Sequence, residues 1–116
     1  MRAEPKVYVY VKHYLTSEGI SYFKKIWFPK VESILSGQKG FVSILSEAEP
    51  GSDCMFITLK FKDDSTFNDW LAVPDHDQLV DDLDRFRSRG YWEAVRADDK
   101  DANLSQLKWE IIKLIN

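Results

Sequence analysis

The chain has 116 residues, of which 44% are hydrophobic and 30% charged, and its formal net charge is −3. These values are typical of one folded domain, and they argue against a disordered chain and against a nucleic-acid-binding surface. No apolar run approaches the ~20 residues of a membrane span, so we expect no membrane association. Cys54 is the single cysteine, which excludes an internal disulfide and favours a cytoplasmic location.

The first predicted strand, from Lys6 to Tyr14, alternates valines with larger amphipathic side chains. This period of two is the signature of a β-strand. One face is purely aliphatic and consists of Val7, Val9 and Val11. The other face is aromatic and suits a second protein surface.

A long helix is predicted next, because Thr16 or Ser17 can cap its first turn and apolar residues then recur at helical spacing. Pro29 lies inside this pattern. A proline removes one backbone hydrogen bond, so we expect the helix to kink or divide near residues 25–28. Gly37 is the predicted end.

Two strands, at residues 39–47 and 54–62, flank the turn-forming segment 49–53 and predict a hairpin. A short helix carrying Phe67 and Trp70 follows. Val73 precedes a proline and should break it. Asp75 and Gln78 form a variant capping box for the next helix, which we predict to end at Gly90. Residues 91–97 form the fourth predicted strand.

The C-terminal segment allows two interpretations. Leu104, Leu107, Ile111, Leu114 and Ile115 lie on one face of a predicted helix capped by Asn103. Leu107, Trp109 and Ile111 also alternate, as in a strand. We prefer the helix because its period explains more apolar positions. The predicted division is thus a domain over residues 1–98, followed by a linker and helix over residues 99–116 that are candidates for packing on a partner subunit.

The element order predicts an α+β class, a ferredoxin-like βαββαβ antiparallel sheet with helices on one face. The other face carries Tyr8, Tyr10, Phe56 and Thr58. A large, partly apolar sheet face is an interaction surface, so we expect two copies to pack sheet to sheet in a symmetric homodimer.

The chain resembles the antibiotic biosynthesis monooxygenase (ABM) family of dimeric α/β-barrel proteins over about residues 6–97. The resemblance rests on the valine-rich first strand, the helix with Phe23, Trp27 and Pro29, the start of the second strand at Gly40-Phe41-Val42, the segment from Phe67-Asn68-Asp69-Trp70 to Pro74-Asp75-His76, and Tyr91-Trp92. It implies a pocket between sheet and helices for a flat aromatic, quinol or polyketide-like substrate, and a monooxygenase reaction without a cofactor.

The resemblance implies His76 as the catalytic base, with Trp70 beside it as a second site residue. The residues that we expect to contact the substrate are Phe23, Trp27, Val9, Val11, Ile57, Leu83 and Phe86. A simpler interpretation makes His76 a half-exposed polar residue at a helix start and Trp70 an ordinary core residue. His13, at the end of the first strand, is predicted to lie at the surface or sheet edge.

Two other functions stay open. The fold could serve as a non-catalytic dimeric module that binds a small molecule or provides association alone. A heme-degrading monooxygenase is less favoured, since the related enzymes have an asparagine that the first strand lacks. Two histidines and one cysteine give no recognisable metal site, and Cys54 is better explained by packing than by nucleophilic chemistry.

Overall fold

The computed structural model describes residues 5–98 and 103–113 and consists of a five-stranded antiparallel sheet with helices on one face. The strands are β1 (Val7–Leu15), β2 (Phe41–Ala48), β3 (Cys54–Phe61), β4 (Arg87–Ala97) and β5 (Glu110–Lys113). The helices are α1 (Ser17–Tyr22), a π-helical turn (Phe23–Trp27), α2 (Phe28–Ser36), α3 (Asp64–Leu71) and α4 (Pro74–Asp82), with 3₁₀ turns at Asp84–Phe86 and Leu104–Gln106. The strand order is β2-β3-β1-β4-β5. The predicted ferredoxin-like α+β fold is confirmed.

The first helix divides where the proline predicts. Thr16 caps α1, its hydroxyl oxygen accepting from the Gly19 N–H at 3.1 Å. Further along, the Phe28 N–H donates to the Phe23 carbonyl, five residues back, and Pro29 lies in the first turn of α2. In the wider turn the backbone carbonyls leave the regular α-helical hydrogen-bond pattern. The carbonyl with which the Pro29 ring would otherwise clash is among them.

The two sheet faces bury different side chains, as the alternation predicts. On the inner face, Val7 and Val9 join a core of helix residues and the inward residues of β3, such as Leu59. On the outer face, Tyr8 and Tyr10 form a second, smaller cluster. The register that places Val9 opposite Leu59 keeps aliphatic residues of neighbouring strands side by side.

The second half of the helix pair differs from the prediction. No side chain caps α4; Val73 is extended and Pro74 begins the helix. The helix ends at Asp82 and not at Gly90, which lies inside β4 with φ of 69°. The side chain of Arg87 is only 1% exposed, and its guanidinium donates to the Val80 carbonyl at 3.3 Å. The same carbonyl accepts from the Leu83 N–H at 3.1 Å, so the arginine adds a second hydrogen bond at the end of the helix.

The predicted C-terminal helix is wrong for the described residues. A short 3₁₀ turn precedes β5, which pairs with β4 so that Glu110 lies opposite Ala94. The alternating period therefore prevails over the helical one, because Leu107 and Trp109 pack on the outer-face cluster while Glu110 and Ile112 turn towards the helices. Leu114 and Ile115, which supported the helix, lie outside the described residues. The domain boundary near residue 98 and contact with a partner subunit stay predictions.

Candidate functional site

Two adjoining cavities lie between the inner sheet face and the helix pair α3–α4. The outer cavity has a volume of about 560 Å³ and the inner one about 80 Å³. Both are bordered by Val11, Leu59, Trp70, His76 and Trp92. The outer volume falls within the range of small-molecule pockets, and its walls are largely hydrophobic, as such pockets usually are.

His76 and Trp70 meet at the wall that the two cavities share. Trp70 is 4% exposed at the end of α3, and its ring lies edge-on to the His76 imidazole with the centroids 5.4 Å apart. The break at Val73–Pro74 turns the chain back, and the His76 N–H donates to the Val73 carbonyl at 3.0 Å. His76 Nδ1 lies 3.3 Å from a carboxylate oxygen of Asp77, which is largely exposed. The predicted catalytic pair is thus brought together beside open space.

Strand β5 and the end of β4 form a charged wall of the outer cavity that the sequence interpretation missed. Arg96, Lys108 and Glu110 border the cavity together with Ile112. Arg96 also forms ion pairs with Asp64 and Asp98. The alternation of Leu107, Trp109 and Ile111 was the one signal for this wall, because a strand places the intervening residues 108, 110 and 112 on the opposite, cavity-facing side.

The inner cavity is built around Trp27 and His13. Trp27 Nε1–H donates to the Leu79 carbonyl at 2.7 Å, satisfying a backbone acceptor in the last turn of α4. The His13 ring lies between two indoles, with centroid distances of 5.7 Å to Trp27 and 5.3 Å to Trp92. His13 is 2% exposed, so its predicted position at the surface or sheet edge is wrong. β4 pairs with β1 here and places Trp92 opposite His13. The strand order was not predicted from the sequence, so this pairing could not be predicted.

Arg87 fixes the protonation of His13. Its guanidinium lies 3.1 Å from His13 Nδ1 and donates to a carboxylate oxygen of Asp84 at 2.9 Å. A guanidinium has no acceptor, so Nδ1 must accept and the proton of the neutral ring must be on Nε2. Burial, and secondarily the Arg87 charge, lower the pKa of His13 from 6.5 to about 3. The imidazole is therefore neutral throughout the physiological range.

The remaining predicted substrate contacts divide into two groups. Val9 and Val11 border the outer cavity, while Trp27 and Ile57 border the inner one. Phe23, Leu83 and Phe86 border neither, and the structure places them in the packed core. Phe23 stacks on Trp27 with centroids 4.9 Å apart, so the indole separates it from the cavity. These three residues pack in the core, and their contact with a substrate stays a prediction.

The other reactive groups offer little chemistry. Cys54 is buried, and burial raises the pKa of its thiol to about 11, so very little nucleophilic thiolate forms near neutral pH. Within residues 5–98 and 103–113, no cluster of three or more histidine, cysteine or acidic side chains could hold a metal ion. None of the helices in that part of the chain has the length and apolarity needed to cross a membrane.

The fold is shared with oxygenases of known structure. A monooxygenase from the ActVA-Orf6 gene of Streptomyces coelicolor, in complex with nanaomycin D, superposes with a TM-score of 0.74 at 14% identity, covering 86% of this chain and 92% of that chain. SnoaB, a cofactor-independent oxygenase from Streptomyces nogalater, gives 0.70 at 15% identity, covering 87% and 99%. An antibiotic biosynthesis monooxygenase gives 0.67 at 11% identity, covering 80% and 97%.

Comparison of sequences alone does not identify a family. No family model matches the chain, and no curated protein matches it. The structural neighbours are nevertheless of the type that the sequence resemblance names, and they share the ferredoxin-like arrangement of sheet and helices. At these identities the likeness establishes the fold, and function has to be argued from the site.

Proposed function

We propose that the protein is a cofactor-independent monooxygenase of the ABM type, acting on an aromatic, quinol or polyketide-like small molecule. The observation that carries this proposal is the open cavity of about 560 Å³ with Trp70, Trp92 and His76 at its wall. Two indoles offer flat surfaces on which a ring can pack. The imidazole lies where it can reach a phenolic or enolic hydrogen at the edge of that ring.

The chemistry needs one proton acceptor and a dry site. His76 in its neutral form accepts the proton of a phenol or enol, and the electron pair passes into the ring system. Dioxygen then forms a bond to the electron-rich carbon. Conversion of a ring CH₂ to C=O by this route consumes one O₂ and releases one H₂O, so the substrate itself supplies all the electrons. The apolar side chains Val9, Val11 and Leu59 keep water from the intermediate.

A non-catalytic module would have less reason to keep this space open. A module that uses the fold only for association should fill the region between sheet and helix pair with side chains, because interiors pack closely. The residues that the structure describes instead leave a cavity large enough for a bicyclic or tricyclic ring. This favours a protein that binds a small molecule.

We also propose a homodimer formed through the outer sheet face. Leu45 is 59% exposed and Ile111 is 58% exposed on that side. A second copy would cover them together with the aromatic cluster around Tyr10. Light scattering at micromolar concentration tests this, because a monodisperse monomer would contradict it. The cytoplasmic location stays a prediction.

The decisive test combines tryptophan fluorescence with oxygen uptake. Purified protein is titrated with anthrones, naphthoquinols, flavin and hemin, and compounds that bind are then assayed for O₂ consumption. We expect saturable quenching by one phenolic class, and His76→Gln should lower turnover by roughly 10²-fold or more if the imidazole is the base. Trp70→Phe should weaken binding.

Trp109→Phe is the matched control, since Trp109 borders neither cavity and lies against Phe56 on the outer face. It should leave binding and turnover unchanged. Binding of hemin alone, or binding without any O₂ uptake across the panel, would contradict the proposed reaction.

A further inference from the structure

His13 borders the inner cavity, and its neutral ring carries a hydrogen-bond donor at Nε2. Arg87 occupies Nδ1, and Nε2 makes no hydrogen bond to any residue that the structure describes. Among those residues, however, no fully enclosed side-chain nitrogen or oxygen lacks a partner. Nε2 therefore keeps some accessible surface, although His13 as a whole is 2% exposed. The open space that His13 borders is the inner cavity.

The position of this donor is fixed from several sides. Trp27 and Trp92 hold the faces and edge of the ring. Arg87, itself 1% exposed, is held in turn by the Asp84 carboxylate and the Val80 carbonyl. A donor whose rotamer and tautomer are both set loses little further freedom when a ligand binds. His76, by contrast, is linked at Nδ1 only to an exposed carboxylate.

The sizes of the two cavities limit what reaches Nε2. The inner space of about 80 Å³ has room for a few atoms, whereas the outer space of about 560 Å³ can hold a ring system. The cavities share Val11 and Trp70 as neighbours. A ring lying in the outer cavity can thus extend a single small substituent towards His13.

We propose that the inner cavity is a polar subsite in which His13 Nε2–H donates a hydrogen bond to a carbonyl, quinone or phenolic oxygen of a ring held in the outer cavity. This inference rests on the proposed ring site and adds a requirement to it: the ligand carries an accepting oxygen at the ring edge that enters first. A ligand of the same shape without that oxygen would bury the donor without a partner.

The test uses a matched pair of probes, 1-tetralone and tetralin, which differ by one carbonyl oxygen. Wild-type protein should bind 1-tetralone roughly three- to tenfold more tightly than tetralin, the range expected for one hydrogen bond. His13→Asn keeps an acceptor near the Nδ1 position for Arg87 and removes the donor, so it should abolish the preference. His13→Gln can place an amide N–H near the Nε2 position and should retain part of it.

A second measurement needs no substitution of His13. The chain has two histidines, so ring ¹⁵N spectra of wild-type protein resolve His13 directly, with His76→Gln used for assignment. We expect a neutral ring with the proton on Nε2, whose ¹H resonance shifts downfield with 1-tetralone and stays with tetralin. A proton on Nδ1, or equal responses to both probes, would overturn the inference.

The outcomes separate this inference from the proposed function. If both probes bind equally to wild-type and His13→Asn protein, the outer cavity still accepts rings and the polar subsite is wrong. If neither probe binds at millimolar concentration, the ring site itself is wrong and the subsite with it. If the carbonyl preference is present and is lost in His13→Asn, the subsite is established even when no compound supports oxygen uptake.

Discussion

The inner and outer cavities share a wall but are built from opposite kinds of contacts. The inner cavity has a buried histidine held by Arg87 and two indoles. The outer cavity has His76 at its wall, with an imidazole that is 24% exposed, and the charged side chains of Arg96, Lys108 and Glu110. If the proposed function and the polar subsite are correct, the inner groups position a ligand and the outer imidazole exchanges a proton. The difference also predicts that substitutions in the two regions act on different properties.

The largest effect on stability is expected for Arg87→Ala. The Arg87 side chain is 1% exposed, and its guanidinium contacts His13, Asp84 and the Val80 carbonyl. Its removal leaves the buried His13 Nδ1 without a donor and the Asp84 carboxylate without its ion pair, so we expect a loss of about 3 kcal/mol in the free energy of unfolding by urea. Arg85→Ala is the control: that side chain is 62% exposed and should cost no more than about 1 kcal/mol. Equal losses in the two variants would contradict the assigned role.

The next effect concerns pH. Because the pKa of His13 falls from 6.5 to about 3 on folding, the unfolded chain binds the extra proton between these values. The associated stability is fully present above pH 6.5 and declines as the pH falls towards 3. At pH 5 the loss should be about 2 kcal/mol relative to neutral pH. Urea unfolding of wild-type protein and His13→Asn should show this part of the pH dependence only in the wild type.

A smaller loss is expected for Trp27→Phe. The phenyl ring keeps most of the packing but leaves the Leu79 carbonyl without its 2.7 Å hydrogen bond. We expect a cost of about 1–2 kcal/mol in the free energy of unfolding. Trp92→Phe is the comparison, because no hydrogen bond of the Trp92 side chain is found among the described residues; it should cost less. The reverse order would show that the Trp27 hydrogen bond contributes little.

The smallest effect on stability is expected for His76→Gln in the outer cavity. The side chain is partly exposed, and the polar contact found for it among the described residues is with an exposed carboxylate. The free energy of unfolding should change by no more than about 0.5 kcal/mol, although turnover should fall strongly. A change as large as that for Arg87→Ala would mean that His76 supports the fold and would remove the contrast between the cavities.

The sequence was sufficient for the inner sheet face and insufficient for what the strands bring together. Alternation identified the aliphatic face of β1, and the family resemblance implied Trp70 and His76, which the Val73–Pro74 break brings together in space. His13 was misplaced because its burial depends on β4 pairing with β1, and strand order is not a local property. Arg87 was assigned to a helix that ends at Gly90, since its partners Asp84 and Val80 come close to it only when the chain turns back at residue 83.

The C-terminal strand shows a similar limit. Helical and alternating periods were both present from residue 104 onwards, and the helical one explained more apolar positions because it also included Leu114 and Ile115. The open edge of β4 decided the outcome, because the backbone groups of β5 that face it could pair there. The charged wall of Lys108 and Glu110 follows from that pairing, so it was not accessible to an interpretation that treated the segment as a separate helix.

The π-helical turn before Pro29 has a consequence for how this chain is compared with others. Phe23, Trp27, Val31 and Leu35 are all buried at steps of four residues, although a regular α-helix would drift by about 40° at each step. The wider turn takes up one additional residue and part of that drift. An aligned chain with an uninterrupted helix should therefore carry a one-residue gap within residues 23–27, and an ungapped alignment would displace every helix position on one side by about 100°.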